Sequence, residues 1–548
     1  MRPDTGLTHL GQGAFEGGPG GQEFVEEALL GWGRDDFLLH KGEYSTVKYA
    51  YYSICILLTF EKNTLKLQTP PPRRPRPKPT QLPNPQLLRT AFCPSQLLRT
   101  FHKLLPAELL ASWLALADKA FYARAFTPLL TLWYLIFQRL GPHRPLSDVV
   151  DDALAGGADA LSPRSKPLSR QLRSRATASY SDARQRLPLG VCRKTLWHTA
   201  SGSAAALKVP LAFGLRVGLM DGSTCRMRPY GDIPEHFPPH RSGGSKKLPY
   251  WCVARVVGIF CSATGLALDS LMAALKTSEQ ALSALLLGER SWKGWLLLAD
   301  RNFGVYSILR ATVGAQAQAL FRLTQSRAAK LARLAGLKLR PGLDAPLCWS
   351  PSRHDQCPAA LPPSPVEGRL IAAQVARPGF RSFTLYLFTT LKDPRLARAT
   401  ELVTLYARRW HVELCFRYIK SQMDLGLLEC HSAAMARKEW LIGLIAYNLI
   451  RWTMAAAAAL APIPVQCLSF SRARQLLLRW LAQNPLRRPS LRSWHRLLSQ
   501  VAQARLPQRR KPRPPEPRAV RYFNTNFQKL EGPRAAARIK LLAANANS

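Results

Sequence analysis

Four residues able to handle a phosphodiester stand in one register: Tyr406, Arg409, Glu413 and Lys420, at offsets of three, seven and fourteen from the tyrosine. On a helix turning about 100° per residue they fall within roughly 60° of one another. Trp410 and Arg417 lie close to the same stripe. Leu405, Val412, Phe416, Ile419 and Met423 gather on another face and would point to a core. Glu413 is thus expected among cations and aromatics, on the side that need not be buried. A carboxylate there could hold a metal ion, and the guanidinium fork and ammonium could grip phosphate. A solvated face with helix ion pairs, each worth tenths of a kcal/mol, explains the same spacing.

Two aspartates bear on that choice. Phe213–Met220 reads as a strand ending at Asp221-Gly-Ser-Thr, and Trp295-Leu-Leu-Leu-Ala as a buried strand ending at Asp300. Side chains at strand ends of an open α/β sheet line its ligand crevice. Two such carboxylates and one from a helix could hold two Mg²⁺ ions about 3.5–4 Å apart. Magnesium prefers oxygen and keeps several waters, so few protein ligands suffice. Taken singly, Asp221 before Gly222 also suits a turn, and Asp300 a helix cap.

The elements that must position these groups follow from periodicity. Residues 1–88 are Gly-rich and then Pro-rich, ending in Pro70–Pro79 among arginines and lysines, which reads as a flexible basic extension. Residues 89–190 carry apolar residues at helical spacing, including Leu105, Leu109, Leu129, Trp133 and Phe137, and are expected to form a DNA-contacting helical region. Strand patterns at Phe213–Met220, Tyr250–Phe260 and Trp295–Ala299, with a helix over Ser278–Leu287, place an α/β domain at 205–430. Short strands such as Arg369–Val375 and Phe383–Thr389 make residues 321–395 a β-rich insertion. One long helix is expected from Thr400 to Leu428. A helical region at 431–505 and a basic, Pro-rich tail at 506–548 complete the chain.

Composition narrows the partner. The 548 residues carry 77 Lys and Arg against 34 Asp and Glu, a formal net charge of +43. That excess repels itself unless a polyanion neutralises it, and nucleic acid is the usual one. An acidic membrane is the rival, yet the apolar run at Tyr51–Phe60 is too short to span, and no run of eighteen apolar residues was identified. The start lacks the basic-then-apolar order of a signal peptide. Eleven scattered cysteines suggest a reduced, cytoplasmic protein. Cys348, His354 and Cys357 lack a fourth ligand at zinc spacing.

The register Tyr406-x-x-Arg409-x-x-x-Glu413-x-x-x-x-x-x-Lys420 resembles, without a gap, the Y-R-E-K signature of the IS-four family of insertion-sequence DDE transposases. Leu219-Met-Asp221-Gly-Ser-Thr224 resembles that family's first aspartate motif, and Leu298-Ala-Asp300-Arg-Asn-Phe-Gly304 its second. Phe126-Thr-Pro and Ala183-Arg-Gln-Arg-Leu-Pro188 also look family-like, so the resemblance runs from about Leu98 to Arg521. It implies a ribonuclease H-like catalytic core with a β-rich insertion, flanked by helical N- and C-terminal regions. Asp221, Asp300 and Glu413 would bind two Mg²⁺ ions, with Mn²⁺ as a substitute, while Tyr406, Arg409 and Lys420 would grip phosphates near the cleaved end. The implied partners are double-stranded DNA (terminal inverted repeats and target) and a second copy in a synaptic homodimer near the nucleoid. Trp349, the only tryptophan of the insertion, would stack a flipped base, and Arg301, with Asn302, would touch DNA. Two alternatives stay open: a metal-dependent nuclease on the same core, and a transposase-derived DNA-binding protein that no longer cuts.

Overall fold

The computed structural model describes residues 107–115 and 125–507, apart from 142–143, 163–164, 208, 240–249, 353–354, 356–361, 378–379 and 484–490, together with a few residues between 533 and 539. Residues 1–88, most of the 506–548 tail, His354 and Cys357 lie outside the described residues.

A single mixed sheet organises residues 216–428. Its strands are β1 (Arg216–Met227), β2 (Cys252–Cys261), β3 (Ala267–Ala274), β4 (Trp295–Ala299), β5 (Gln318–Arg322), β6 (Asp344–Trp349), β7 (Val366–Arg377), β8 (Phe380–Thr389) and β9 (Leu427–Leu428). The order is β3-β2-β1-β4-β5-β8-β7-β6, with β9 pairing to β1. β1, β2 and β3 run antiparallel in turn, whereas β4 and β5 join parallel to β1. Val217, Leu219 and Met220 on β1 and all five residues of β4 are buried, as a strand covered on both faces requires. The strands of the 321–395 stretch extend this sheet, because β8 pairs with β5.

Helices cover it. α1 (Pro128–Leu140) starts on Thr127, whose side chain accepts from the backbone N–H of Leu130, with Pro128 in the first turn where no N–H is needed. The other helices used below are α2 (Leu189–Ala206), α3 (Glu279–Gly288), α4 (Tyr306–Gly314), α5 (Ala399–Ala407), α6 (His411–Arg417) and α7 (Ala433–Leu460). By composition α7 is long and apolar enough to cross a membrane, a run that the sequence reading passed over, but 94% of its apolar window is buried inside the protein. It is a core helix. Asn448 on α7 caps the edge of β3, accepting from the Ala267 N–H at 2.7 Å and donating to the Ala267 carbonyl at 2.8 Å. Arg139 of α1 pairs with Glu439 of α7 at 2.7 Å, so α1 is a packing helix with a nearly fully buried surface.

Three expectations change. The first strand does not end at Asp221: the turn lies earlier, where Phe213 and Gly214 have positive φ (54° and 76°), and β1 continues to Met227. Pairing with β2 runs on through Asp221↔Gly258, Gly222↔Val257 and beyond, so Gly222-Ser-Thr is strand rather than turn. The long helix is not uniform either. α5 tightens into a 3₁₀ turn at Arg408–Trp410, resumes as α6, widens into a π turn at Tyr418–Gln422, and gives way to β9. Strand β3 went unread because Ala267–Ala274 contains no β-branched or aromatic residue.

The expected base-stacking role of Trp349 is not met by its position. It is 5% exposed, with its ring edge-to-face to Phe388 at 5.2 Å and tilted to Tyr306 of α4 at 6.5 Å. Trp349→Ala should therefore cost about 3–5 kcal/mol of stability in urea titration. Wild-type stability combined with impaired DNA binding would instead put this ring on the DNA side.

Candidate functional site

The pairing of β1 with β4 sets the two aspartates level. Leu219 lies opposite Leu298 in the parallel register, so two residues further on Asp221 and Asp300 emerge side by side. Neighbouring strands are about 4.8 Å apart, which keeps the two carboxyls within one metal centre's reach. Asp221 sits within β1, while Asp300 begins the loop after β4 and is pinned there by the Asn302 N–H, which donates to its Oδ1 at 2.8 Å.

The stretch from α5 to β9 runs along β1. Arg409 meets Asp221, Lys420 Nζ lies 3.4 Å from Ser223 Oγ, and Leu427 pairs with Arg226. Glu413 is one helical turn beyond Arg409. The Arg409 guanidinium lies between the two acids, with Nη1 3.0 Å from Asp221 Oδ2 and Nη2 3.0 Å from Glu413 Oε1. Its flat face rests on Trp410 at 4.3 Å.

Half of this face is buried, contrary to the expectation of an open side, while Glu413 and Lys420 are half-buried. Tyr406 and Arg409 are each 3% exposed. Arg301 and Asn302, by contrast, are exposed on the loop after Asp300.

The electrostatics follow from three carboxylates sharing one guanidinium. Burial raises Asp221, eased by Arg409 and worsened by Asp300. Glu413 is pushed up to about 8 by burial, against the pull of Arg409 and with repulsion from Asp221 and Asp300. Arg409 stays firmly protonated, because Tyr406, Asp221 and Glu413 outweigh the burial that opposes its charge. Burial lifts the Tyr406 phenol to about 12.

These residues fit a divalent cation. The donors are hard oxygens, and Glu413 Oε2 is buried without a hydrogen-bond partner, as are Tyr406 Oη and Arg409 Nε. Among the described residues no three acidic, imidazole or thiol groups converge on one point. Arg409 fills the space between Asp221 and Glu413 and serves there as the cation.

The site also contains residues that the motifs did not signal. Glu279, the first residue of α3, pairs with Arg255 of β2 at 3.0 Å and accepts from Asn302 Nδ2 at 2.5 Å. Its only trace in the sequence is a place after Ser278, where it reads as an ordinary acidic first turn of a helix.

Residues 212–449 match the family model of the transposase DDE domain. The transposase InsG for insertion sequence element IS4, from Escherichia coli (strain K12), is 25% identical over 356 residues, covering 64% of this chain and 75% of that protein. A piggyBac transposase synaptic complex with hairpin DNA aligns over 75% of this chain and 85% of its own at 14% identity, with a TM-score of 0.34, too low an overlap to carry a structural argument. The chain carries a transposase DDE domain. More particularly, the chain is similar to an IS4 transposase, and a DDE domain generally implies dependence on a divalent metal ion.

A pH dependence follows. Carboxyls whose folded pKa is raised hold protons that the unfolded chain releases near pH 4, so their contribution to stability is full below about pH 4 and is lost as pH rises. Without divalent metal, calorimetry should show the melting temperature falling from about pH 4 to about pH 8, and falling less steeply in Glu413→Gln. An identical slope in the variant would show that Glu413 does not titrate in this window. Added Mg²⁺ should raise the melting temperature more at pH 8 than at pH 5.

Proposed function

We propose that this protein is a cut-and-paste DNA transposase whose metal-dependent centre is formed by Asp221, Asp300 and Glu413. The observation that carries the proposal is the level placement of Asp221 on β1 and Asp300 just past the end of β4, its parallel neighbour, with Glu413 tied to Asp221 through Arg409. The order β3-β2-β1-β4-β5, with only the first two pairings antiparallel, supports a ribonuclease H-like core. The strands continuing through β8, β7 and β6 would be its insertion.

Two Mg²⁺ ions, or Mn²⁺ in their place, would activate an attacking water or 3′-hydroxyl and stabilise the leaving oxygen. Asp221, Asp300 and Glu413 supply the oxygens that would hold them. Asn302 and the Gly222 N–H, which donates to Asp221 Oδ1 at 2.9 Å, keep two of these carboxylates aimed. Lys420, beside Ser223, would bring a point charge to a DNA phosphate. Tyr406 Oη and Arg409 Nε, buried without a partner, would complete the phosphate grip near the cleaved end. Arg301 stands exposed one residue past Asp300, placed to meet the duplex.

The substrate class is double-stranded DNA: the element's terminal inverted repeats, then a target. A chain of net charge +43 is suited to that polyanion and to the nucleoid-associated cytoplasm. Two copies would act in a synaptic homodimer, one on each end. In this reading, nicking exposes a 3′-hydroxyl that attacks the opposite strand and leaves a hairpin.

The test is cleavage of a labelled duplex spanning one end of the element and its flank. Mg²⁺-dependent nicking followed by a hairpin is expected for wild type, with neither product in EDTA nor from Asp221→Ala. Binding without any cut would favour a transposase-derived DNA-binding protein, and nicking without joining a nuclease. Glu413→Gln should abolish cleavage with end binding retained. Lys420→Ala should weaken end binding and flatten its salt dependence by about one unit of slope. Equal loss of binding in both would contradict this division of roles.

A further inference from the structure

A fourth acid, Glu279, belongs to the centre's architecture. β3 leads into the helix cap at Ser278, which accepts from the Ala281 N–H at 3.0 Å, and the next residue, Glu279, returns over β1 beside the catalytic aspartates. The backbone of β1 makes room for it. A Cβ built on Gly222, next to Asp221, would lie 2.8 Å from both the carboxyl carbon and Oε1 of Glu279. Glycine at that position lets the carboxylate approach, and a side chain there would push it away.

Glu279 is held from one side and holds on the other. Arg255 Nη1 sits 3.0 Å from Glu279 Oε1, and Arg255 is itself anchored to the Leu275 carbonyl at 3.2 Å. Glu279 Oε2 accepts from Asn302 Nδ2 at 2.5 Å, and the neighbouring Gln280 donates to the Asn302 carbonyl at 2.7 Å. The same Asn302 donates its backbone N–H to Asp300 Oδ1. Asn302 is thus gripped at side chain and carbonyl by the start of α3 while its N–H sets the rotamer of Asp300.

We propose that Glu279 is a positioning residue for strand cleavage, fixing Asp300 for metal binding through Asn302. The inference rests on the proposed function, because it takes Asp300 as a metal ligand. Groups that orient a ligand from behind typically change metal affinity by about 10–100-fold when removed. A merely structural role would lower stability without moving the metal dependence.

The experiment measures nicking rate against Mg²⁺ concentration for wild type, Glu279→Ala, Glu279→Gln, Asn302→Ala and the double alanine variant, with Asp221→Ala as reference. Mn²⁺ affinity is read in parallel by electron paramagnetic resonance, on each protein bound to a precleaved end duplex. Glu279→Ala should raise the half-saturating Mg²⁺ concentration and the Mn²⁺ dissociation constant by about tenfold or more, with the rate at saturating metal changed by less than about threefold. Glu279→Gln, which keeps an acceptor for Asn302, should recover most of the affinity. Asn302→Ala should mimic Glu279→Ala, and the double variant should be no worse than either, as for two residues in one chain of contacts. An unchanged metal midpoint in Glu279→Ala, or additive losses in the double variant, would overturn the inference while the inactivity of Asp221→Ala left the proposed function standing. Cleavage by Asp221→Ala would remove the proposed function and this inference with it.

Discussion

One guanidinium between two half-buried carboxylates determines how the centre is built. Asp221 of β1 and Glu413 of α6 need a cation between them, since a charge withdrawn from water without a partner is far costlier than a paired one. Arg409 provides it at 3.0 Å on each side. That position requires the chain to bury an arginine at 3% exposure, and the 3₁₀ turn at Arg408–Trp410 is the local distortion that allows it. β9 fastens the far end of the same segment to β1, so the helix cannot slide along the strand that carries Asp221. The sheet then adds Asp300 through the β1–β4 register alone.

The consequence is an acidic centre within a strongly basic chain. A net charge of +43 draws DNA toward the protein as a whole, whereas the centre itself repels phosphate until its carboxylates are neutralised. Arg409 does part of that work. Burial, with some repulsion from Asp300, still raises the Glu413 and Asp221 carboxyls against the pull of that guanidinium. A divalent ion has the charge density that the centre lacks, which accords with the metal dependence of DDE domains.

Much of this was legible in the sequence, and the omissions have physical reasons. Asp300 at the end of an apolar run, and the single-stripe register of Tyr406, Arg409, Glu413 and Lys420, could be read because strand ends and helix faces follow from spacing alone. Whether that stripe was covered could not be read: it depends on β1 passing beneath it, a contact between residues 188 positions apart. Asp221 was placed at a turn because Asp-Gly is a strong turn pair, and only cross-strand pairing with β2 outweighs that preference. Trp349 illustrates the same limit, since nothing in its neighbourhood along the chain reveals Phe388 and Tyr306 closing over its ring. Glu279 left no motif because its role depends on Arg255, Gly222 and Asn302 meeting from three separate segments.

The most direct test of the metal centre is anomalous diffraction from crystals of the protein bound to an end duplex and soaked in Mn²⁺. The account predicts an anomalous peak within about 2.0–2.3 Å of carboxylate oxygens from Asp221 and Asp300, with Glu413 beside it and Arg409 turned away from at least one of its two acids. A peak on other residues, or none while Arg409 still bridges Asp221 and Glu413, would contradict it.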